Sequence, residues 1–346
     1  MPPTPLAIPV TDPTPIFEHF RGSYATELLT AAVAHFDIFG RLAKTPLTLD
    51  DLRDALGLAD RPTIVLTTAL RAMGLLMMQD GMLTVSDMAR EHLVPGSPLD
   101  VSDYIGLAAS SPGVLEMVER LKMNRPAAKG AGTAFIYREG VASAMEEEAS
   151  ARHFTLALAG RAKNVAPLVA QRLSLNRAHL LLDVGGGTGI YSIACLQHNP
   201  RLRAVVLDRP EVLKVAAEMA QAHGVGERLQ CQAADMFRDP LPSGADAILL
   251  SNILHDWDVA DCAALVNKCA GALARGGRLF IHDVFLNDDL DGPLPIALYS
   301  AALFTLTEGR AYSAAEYRHW LTAAGLTPEG VTPTLIHCAV LTGVKS

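Results

Sequence analysis

Apolar runs of strand length recur along the second half of the chain, and stretches with helical spacing separate them. The predicted strands cover 180–184, 203–208, 229–235, 246–252 and 278–285, and an antiparallel pair follows within 330–344. Strands that alternate with helices form parallel sheets with helices on both faces. The pattern therefore predicts an α/β fold for this half.

The first 110 residues follow a different pattern. Residues 17–43 are apolar with few charges, so this helical region must be buried in its own domain or against a second subunit. Thr48 and Asp51 resemble a capping box that starts a short helix, and a second helix follows over 62–73. Residues 75–85 predict two strands around an Asp-Gly turn. Helix, helix and hairpin predict a winged-helix domain over 1–110.

The charge of this domain argues against DNA binding. Residues 1–110 hold seven Lys or Arg against thirteen Asp or Glu, and the second helix has only Arg61 and Arg71 as bases. Such a helix cannot neutralise many phosphates. The whole chain has a net charge of −8, which also disfavours a nucleic-acid partner. We therefore expect a packing and dimerisation module, and a homodimer.

Composition and cysteine usage indicate the compartment. The chain has 346 residues, half of them hydrophobic, which predicts about two domains. No apolar run reaches the roughly 18 residues of a membrane span. The first fifteen residues hold six prolines and no basic segment before an apolar one, so we expect an extended arm rather than a signal peptide. Five scattered cysteines predict reduced thiols in a cytoplasmic protein without a membrane partner.

The residues after the first strand of the α/β half form a glycine-rich turn. Glycines occupy positions 185, 186, 187 and 189, where positive φ and close approach of a ligand are tolerated. A dinucleotide fingerprint fits poorly because Ile190 stands where a small residue is needed, and no Lys-Ser or Lys-Thr follows for a phosphate loop. The turn therefore predicts a ligand other than a nicotinamide cofactor or a nucleoside triphosphate.

Acidic residues end the next two strands. Asp208 lies about 20 residues beyond the turn, which suits a ribose hydroxyl. Asp235 is expected to face an adenine amino group, with Met236 against the ring and Phe237 following. Each acid alone is also typical of a helix N-cap. Together with the glycines they favour a nucleoside ligand, and the chain looks like an S-adenosylmethionine (SAM)-dependent methyltransferase.

The fourth strand ends in Ser-Asn-Ile-Leu-His-Asp-Trp-Asp over 251–258. This motif resembles the His-Asp-Trp signature of plant-type and bacterial small-molecule O-methyltransferases, and the resemblance covers almost the whole chain. It implies a Rossmann-like SAM-methyltransferase domain over 111–346, which follows the winged-helix dimerisation domain and includes a helical substrate-lining segment over 111–172. The cofactor residues implied are Gly185, Gly187, Asp208, Arg209, Asp235, Met236, Phe237 and Ser251. The acceptor contacts expected are Phe154, Asn252, Tyr299, Leu303 and Phe304, with Phe135, Tyr137 and Met145 as lid or core residues.

The resemblance makes His255 the general base. An imidazole of near-neutral pKa suits removal of a hydroxyl proton during methyl transfer. Asp283 matches one of the two acids that orient the base in the family, but Ala311 stands where the second is common. Glu308 or Tyr312 could replace it, or Asp283 could suffice. No standard metal-ligand spacing surrounds His255, so no metal is expected.

The expected reaction is SAM-dependent methyl transfer to the hydroxyl of a small aromatic or phenolic metabolite, with S-adenosylhomocysteine as the second product. Ala311 keeps a second possibility open, a C-, N- or S-methyltransferase on the same scaffold. A winged-helix regulator that senses a small ligand is an alternative from another class, disfavoured by the acidic N-terminal domain.

Overall fold

The computed structural model describes residues 5–125 and 148–346, so the predicted lid residues Phe135, Tyr137 and Met145 lie outside the described ranges. The α-helices are α1 (Thr14–Arg21), α2 (Ala25–Thr30), α3 (Ile38–Lys44), α4 (Leu49–Leu56), α5 (Asp60–Ala72), α6 (Asp87–His92), α7 (Ser102–Gly106), α8 (Pro112–Met123), α9 (Glu148–Arg172), α10 (Ile190–His198), α11 (Pro210–Ala222), α12 (Val259–Ala272), α13 (Leu294–Leu306) and α14 (Ala314–Ala323). The strands are β1 (Leu76–Gln79), β2 (Met82–Val85), β3 (Leu180–Val184), β4 (Arg203–Asp208), β5 (Leu229–Ala233), β6 (Ala245–Ser251), β7 (Leu273–Leu286), β8 (Tyr312–Ser313), β9 (Leu326–Pro333) and β10 (Cys338–Lys345).

Two compact units divide these elements. The sheet unit comprises the described residues of 5–17, 148–285 and 314–346. The helical unit comprises those of 18–125 and 286–313. Each unit has its own hydrophobic core, which is why it forms a separate compact body.

The sheet unit is built on a mixed sheet in the order β5-β4-β3-β6-β7-β10-β9. The strands from β5 to β7 are parallel, whereas β10 pairs antiparallel with both β7 and β9. This confirms the predicted α/β fold and the antiparallel pair at its end. Because β5, β4, β3 and β6 are parallel neighbours, the loops after their carboxyl ends meet along one edge.

Apolar strands and an apolar helix form the core of the sheet unit. Leu181, Leu182 and Val184 of β3 are fully buried. α10 is buried along almost its whole length, from Ile190 to Leu196, as expected for a helix that is apolar on all sides. The sheet edge that carries the loops therefore rests on a rigid, closely packed layer.

The helical unit contains the helices and hairpin expected near the N-terminus. The Thr48 hydroxyl accepts the backbone N–H of Asp51 at 3.1 Å where α4 begins, and α4 ends at Gly57 with φ 63°. β1 and β2 pair around the predicted Asp80–Gly81 turn. The expected helical stretch over 17–43 is interrupted, since a π-helical turn spans Ala31–His35 and Asp37 adopts φ 47° before α3.

The division between the units differs from the boundary predicted at residue 110. α8 lies beyond that boundary, yet its Met117 and Leu121 are buried in the core of the helical unit. α13 packs against α5 and contributes Phe304 to the same core. The proline-rich arm instead belongs to the sheet unit, where the backbone N–H of Leu6 donates to Gln197 Oε1 at 2.9 Å. Burial of apolar faces that are distant in sequence sets these boundaries.

None of the helices in the described ranges combines the length and the apolar character needed to cross a membrane.

Candidate active site

The glycine loop, residues 185–189, connects β3 to α10. Gly185 and Gly187 adopt φ values of 69° and 59°, which residues with side chains rarely take. A Cβ on Gly185 would lie 2.6 Å from Ile253 Cδ1, so this position is also crowded. A Cβ on Gly187 would meet no heavy atom of the described residues within 4 Å. The loop therefore has its backbone open to a ligand at Gly187.

Asp208, the last residue of β4, holds the glycine loop in place. Its Oδ2 accepts the backbone N–H of Gly187 at 2.8 Å, and its Oδ1 accepts that of Arg209 at 2.8 Å. Burial raises the pKa of Asp208, and these two N–H groups oppose the shift. Each carboxylate oxygen has a second acceptor position, which suits a ligand hydroxyl. The structure thus brings together three of the predicted cofactor residues.

Asp183 lies beneath the same loop and is 1% exposed. Its Oδ2 accepts the Ser192 hydroxyl at 2.7 Å, but its Oδ1 is buried without a hydrogen-bond partner among the described residues. Burial raises the pKa of Asp183 to about 6, and the charge of Asp208 adds to the shift. An unpaired buried acceptor favours a donor from a ligand or water. Asp183 lies in the predicted strand 180–184, directly before the glycine-rich turn, and the sequence pattern assigns it no role of its own.

The segment after β5 is held by Asp235 itself and by two residues that were not predicted for the site, Lys268 and Trp257. Asp235 Oδ1 accepts the backbone N–H groups two and three residues further on, at 2.8 and 3.1 Å, so it caps its own turn. Lys268 Nζ donates to the carbonyls of Met236 and Phe237 at 2.9 Å each, and the Phe237 ring meets that of Trp257 edge-on at 4.6 Å. The local capping role considered for Asp235 is therefore present.

Ser251 and Asn252, at the end of β6, belong to a partly buried polar network. The side-chain Oδ1 of Asn252 accepts from Arg161 at 2.8 Å, and its Nδ2 donates to Ser251 Oγ at 3.1 Å. Ser251 Oγ also lies 2.8 Å from His282 Nδ1. Burial, reinforced by the charge of Arg161, lowers the pKa of His282 to about 3, so this ring is neutral. Sequence reasoning missed Arg161 and His282, because neither belongs to a motif.

Asn252 also adopts an unusual backbone conformation. Its φ of 57° lies in the left-handed region that few residues other than glycine occupy. Its N–H donates to the carbonyl of His282 at 2.8 Å, which ties the end of β6 to β7. The network therefore places a guanidinium and a hydroxyl at the edge that carries the glycine loop, and a guanidinium suits a carboxylate group of a ligand.

His255 lies in a 3₁₀ turn, Leu254–Asp256, directly after β6, and is 4% exposed. Its Nδ1 is 2.5 Å from Asp283 Oδ1. With Nδ1–H donating to this carboxylate, Nε2 is the nitrogen left to take up a proton. Asp283 Oδ1 also accepts the Val284 N–H at 2.8 Å, and its Oδ2 accepts the Tyr317 hydroxyl at 3.3 Å. The predicted base and its orienting acid are therefore in direct contact.

A second carboxylate faces the other nitrogen of the ring. Asp256 Oδ1 lies 3.6 Å from His255 Nε2. Burial lowers the pKa of His255, but the charges of Asp283 and Asp256 outweigh it, so the pKa is raised. Burial raises the pKa of Asp256 to about 6. At Asp283 burial also acts to raise the pKa, but the charge and hydrogen bond of His255 and the Val284 N–H together outweigh it, so the pKa is lowered. In the sequence, Asp256 counts only as part of the His-Asp-Trp motif and has no predicted role beside the base.

The predicted acceptor contacts are divided between the units. Phe154 lies on α9 of the sheet unit, where it is half-buried, and Asn252 belongs to the polar network. Tyr299, Leu303 and Phe304 lie on α13 of the helical unit. Phe304 is fully buried in that unit's core, with the guanidinium of Arg61 4.5 Å from its ring centroid. Phe304 thus has the core position that is the ordinary one for a large apolar side chain.

Comparisons with known proteins show the family of the chain. The family model for the O-methyltransferase domain matches residues 119–327. A 3-hydroxy-5-methyl-1-naphthoate 3-O-methyltransferase from Streptomyces sahachiroi is 34% identical over 315 residues, which are 90% of this chain and 89% of that protein. An L-tyrosine C(3)-methyltransferase from Streptomyces lavendulae is 29% identical over 317 residues, covering 89% of this chain and 85% of its own length.

A solved structure gives the same result for the fold. The O-methyltransferase family 2 protein from Planctomyces limnophilus, crystallised in complex with apigenin, is 48% identical and matches with a TM-score of 0.91, covering 100% of both chains. The predicted family and enzyme class are thereby confirmed. The chain belongs to the O-methyltransferase family of SAM-dependent methyltransferases, which its glycine loop and His-Asp-Trp motif resemble.

Proposed function

We propose that the protein methylates a hydroxyl group of a small aromatic acceptor, with His255 as the general base. The observation that carries this proposal is the 2.5 Å contact between His255 Nδ1 and Asp283, at the sheet edge that also carries the glycine loop. A buried imidazole whose Nδ1–H is held by a carboxylate has the tautomer needed to accept a proton at Nε2.

The chain's own residues fit the methyl donor. Asp208 accepts the ribose hydroxyls at its remaining lone pairs, and the open backbone at Gly187 allows close approach. Asp183 offers an unpaired acceptor to a donor group of the ligand, and Arg161 offers a cation to its carboxylate. Met236 follows Asp235 on the loop where the adenine is expected. When bound, SAM supplies an electrophilic methyl group on sulfur.

The base acts as that methyl group is transferred. The acceptor oxygen forms the new bond to carbon while its proton passes to His255 Nε2, and the carbon–sulfur bond breaks to leave S-adenosylhomocysteine. Asp283 keeps the ring oriented and stabilises the positive charge that develops on it. The proton then leaves to solvent, so the products are a methyl ether, S-adenosylhomocysteine and one proton.

The acceptor class rests on the relatives. The Streptomyces sahachiroi enzyme is named for a hydroxynaphthoate, and the Planctomyces limnophilus protein was crystallised with apigenin, a polyphenol. Phenolic hydroxyls lose a proton more readily than aliphatic ones, which suits a site with a single histidine base. Apigenin is accordingly the first probe substrate.

The test is methylation of apigenin with isotopically labelled SAM. We expect a labelled methyl ether by mass spectrometry and stoichiometric S-adenosylhomocysteine. His255→Gln should lower kcat by a factor of about 10² or more, the usual contribution of a general base. It should leave the Kd for S-adenosylhomocysteine unchanged by calorimetry, because His255 is not assigned to the cofactor. Full turnover in His255→Gln would refute the base assignment, and absence of S-adenosylhomocysteine binding in the wild type would refute the enzyme class.

Carbon methylation is the second candidate. The Streptomyces lavendulae relative is named as a C(3)-methyltransferase of L-tyrosine, a phenol methylated on its ring. Removal of the same phenolic proton increases the electron density of the ring carbons, so one base could serve either outcome. The position of the ¹³C methyl signal of the product in NMR distinguishes an aryl ether from an aryl carbon.

For the helical unit we propose a winged-helix-like dimerisation role, supported by the succession of α4, α5 and the β1–β2 hairpin. Tyr104 and Leu107 are 77% and 78% exposed beside a cavity of about 320 Å³ that Leu29 and Ile105 help to line. These neighbouring exposed apolar side chains make this surface our candidate for the interface with a second copy. Light scattering should give a dimer for the wild type, and Leu107→Glu should weaken it.

The free thiols of all five cysteines support the expected cytoplasmic location.

A further inference from the structure

Tyr317 on α14 is buried against the carboxylate of Asp283. The side chain is 0% exposed, and its ring packs edge-on against Phe285 at 5.2 Å and Trp320 at 5.4 Å. Its hydroxyl donates to Asp283 Oδ2 at 3.3 Å. These two contacts pack the phenol ring within the sheet unit.

The contact with Tyr317 matters because the other hydrogen bonds of the Asp283 carboxylate fall on its second oxygen, Oδ1. Oδ1 of this carboxylate already accepts from His255 Nδ1 at 2.5 Å and from the Val284 N–H at 2.8 Å. Both bonds are on one oxygen, so rotation about the last side-chain torsion would tilt the carboxylate and take Oδ1 away from the ring. A donor on Oδ2 resists that rotation and stabilises the ionised form in a site where burial opposes it.

We propose that Tyr317 is a positioning residue for the reaction, acting through Asp283 to hold His255 in its proton-accepting orientation. The proposal rests on the proposed role of His255 as base. Among the described residues of the sheet unit, it gives the His255–Asp283 pair a third member that sequence reasoning missed. Glu308 and Tyr312, the residues expected to compensate for Ala311, belong to the helical unit.

Tyr317→Phe removes the hydroxyl and keeps the ring. We expect kcat with apigenin to fall roughly five- to tenfold, because a hydrogen bond to a charged group is lost without loss of the group itself. The Kd for S-adenosylhomocysteine should stay within twofold, because Asp283 contacts His255 and is not one of the residues assigned to the cofactor. Trp320→Phe is the matched control, because it disturbs the same packing and leaves the hydroxyl in place, and it should lower kcat by less than about twofold.

A double-mutant cycle separates this role from a general structural one. In an Asp283→Asn background, measured under single-turnover conditions with tritiated SAM, Tyr317→Phe should cause less than about a twofold further loss, because its partner charge is already gone. Equal losses in both backgrounds would overturn the proposal, since the tyrosine would then act independently of Asp283. Unchanged kcat in Tyr317→Phe alone would overturn it as well.

Proton NMR provides a readout that does not need the phenylalanine variant to fold. A hydroxyl bound to a buried carboxylate should give a downfield, slowly exchanging signal in the wild type, and this signal should move upfield in Asp283→Asn. A hydroxyl signal that stays at the same chemical shift in Asp283→Asn would contradict the proposal. If the wild type methylates apigenin and His255→Gln does not, a negative result refutes only the role of Tyr317. If His255→Gln remains active, the proposed function fails first.

Discussion

Asp256→Asn removes the carboxylate charge that faces the proton-accepting nitrogen of His255. The two atoms concerned, Asp256 Oδ1 and His255 Nε2, are 3.6 Å apart. The substitution keeps the shape of the side chain, so the imidazole stays in place and still contacts Asp283 through Nδ1. The change is therefore chiefly electrostatic, and we expect the pKa of His255 to fall.

The magnitude follows from the distance. Opposite unit charges at 3.6 Å interact by about 1.2 kcal/mol in a water-like medium and about 4.6 kcal/mol at an effective dielectric constant of 20. The Asp256 side chain is 26% exposed, so solvent reduces the interaction toward the lower part of this range. A loss of about 1.5 kcal/mol corresponds to a fall of roughly one pKa unit. Because the pKa of Asp256 is raised to about 6, the full effect requires a pH above that value.

The assay is NMR titration of the His255 ring in the wild type and in Asp256→Asn, with His255→Gln to assign the signal. The base works only when neutral, so the acid limb of kcat/KM for apigenin should move to lower pH by the same amount. The other groups that face His255 are unchanged: Asp283, which raises its pKa, and Arg161, which lowers it.

Asp258→Asn is the matched control. Asp258 caps α12 through Asp261 N–H, and asparagine caps helices equally well, so this variant removes a nearby charge without changing the ring's partners. It should shift the pKa of His255 by less than about 0.3 units. A shift in Asp256→Asn that is equally small, or a rise, would refute the electrostatic role assigned to Asp256.

Two further predictions concern the glycine loop. Because burial raises the pKa of Asp183 from an ordinary 3.8 to about 6, its charged form opposes folding, and its contribution to stability should fall as the pH rises from about 4 to 6. Asp183→Asn should therefore raise the Tm of the ligand-free protein at pH 7 and make the Tm less dependent on pH over this range, with Asp208 and Asp256 still contributing; an unchanged Tm profile would contradict the shift. Gly185→Ala adds a Cβ at φ 69° only 2.6 Å from Ile253, so it should lower the Tm and weaken S-adenosylhomocysteine binding. The control Gly57→Ala, with φ 63° and open space at the end of α4, should lower the Tm alone. Equal losses of binding in both variants would show that the effect of strain at Gly185 is not local.

The sequence alone determined the α/β fold and the main positions of the cofactor edge. Strand-length apolar runs gave the order of elements, and residues that follow parallel strands must gather at one edge of the sheet. Gly187, Asp208 and Arg209 are joined by hydrogen bonds there, and His255 meets Asp283. These residues come together because each lies at the end of a strand, where local position fixes location in the sheet, and their roles stay predictions.

The tertiary structure decided what surrounds those residues. Arg161 on α9, His282 on β7 and Tyr317 on α14 belong to no motif, and each reaches the site because an apolar element packs at that place. Likewise, the extent of the helical unit depends on where α8 and α13 bury their apolar faces, which no local pattern specifies. Side-chain partners that are distant in sequence and belong to no motif are fixed only by packing, so Arg161, His282 and Tyr317 appear at the site only in the folded chain.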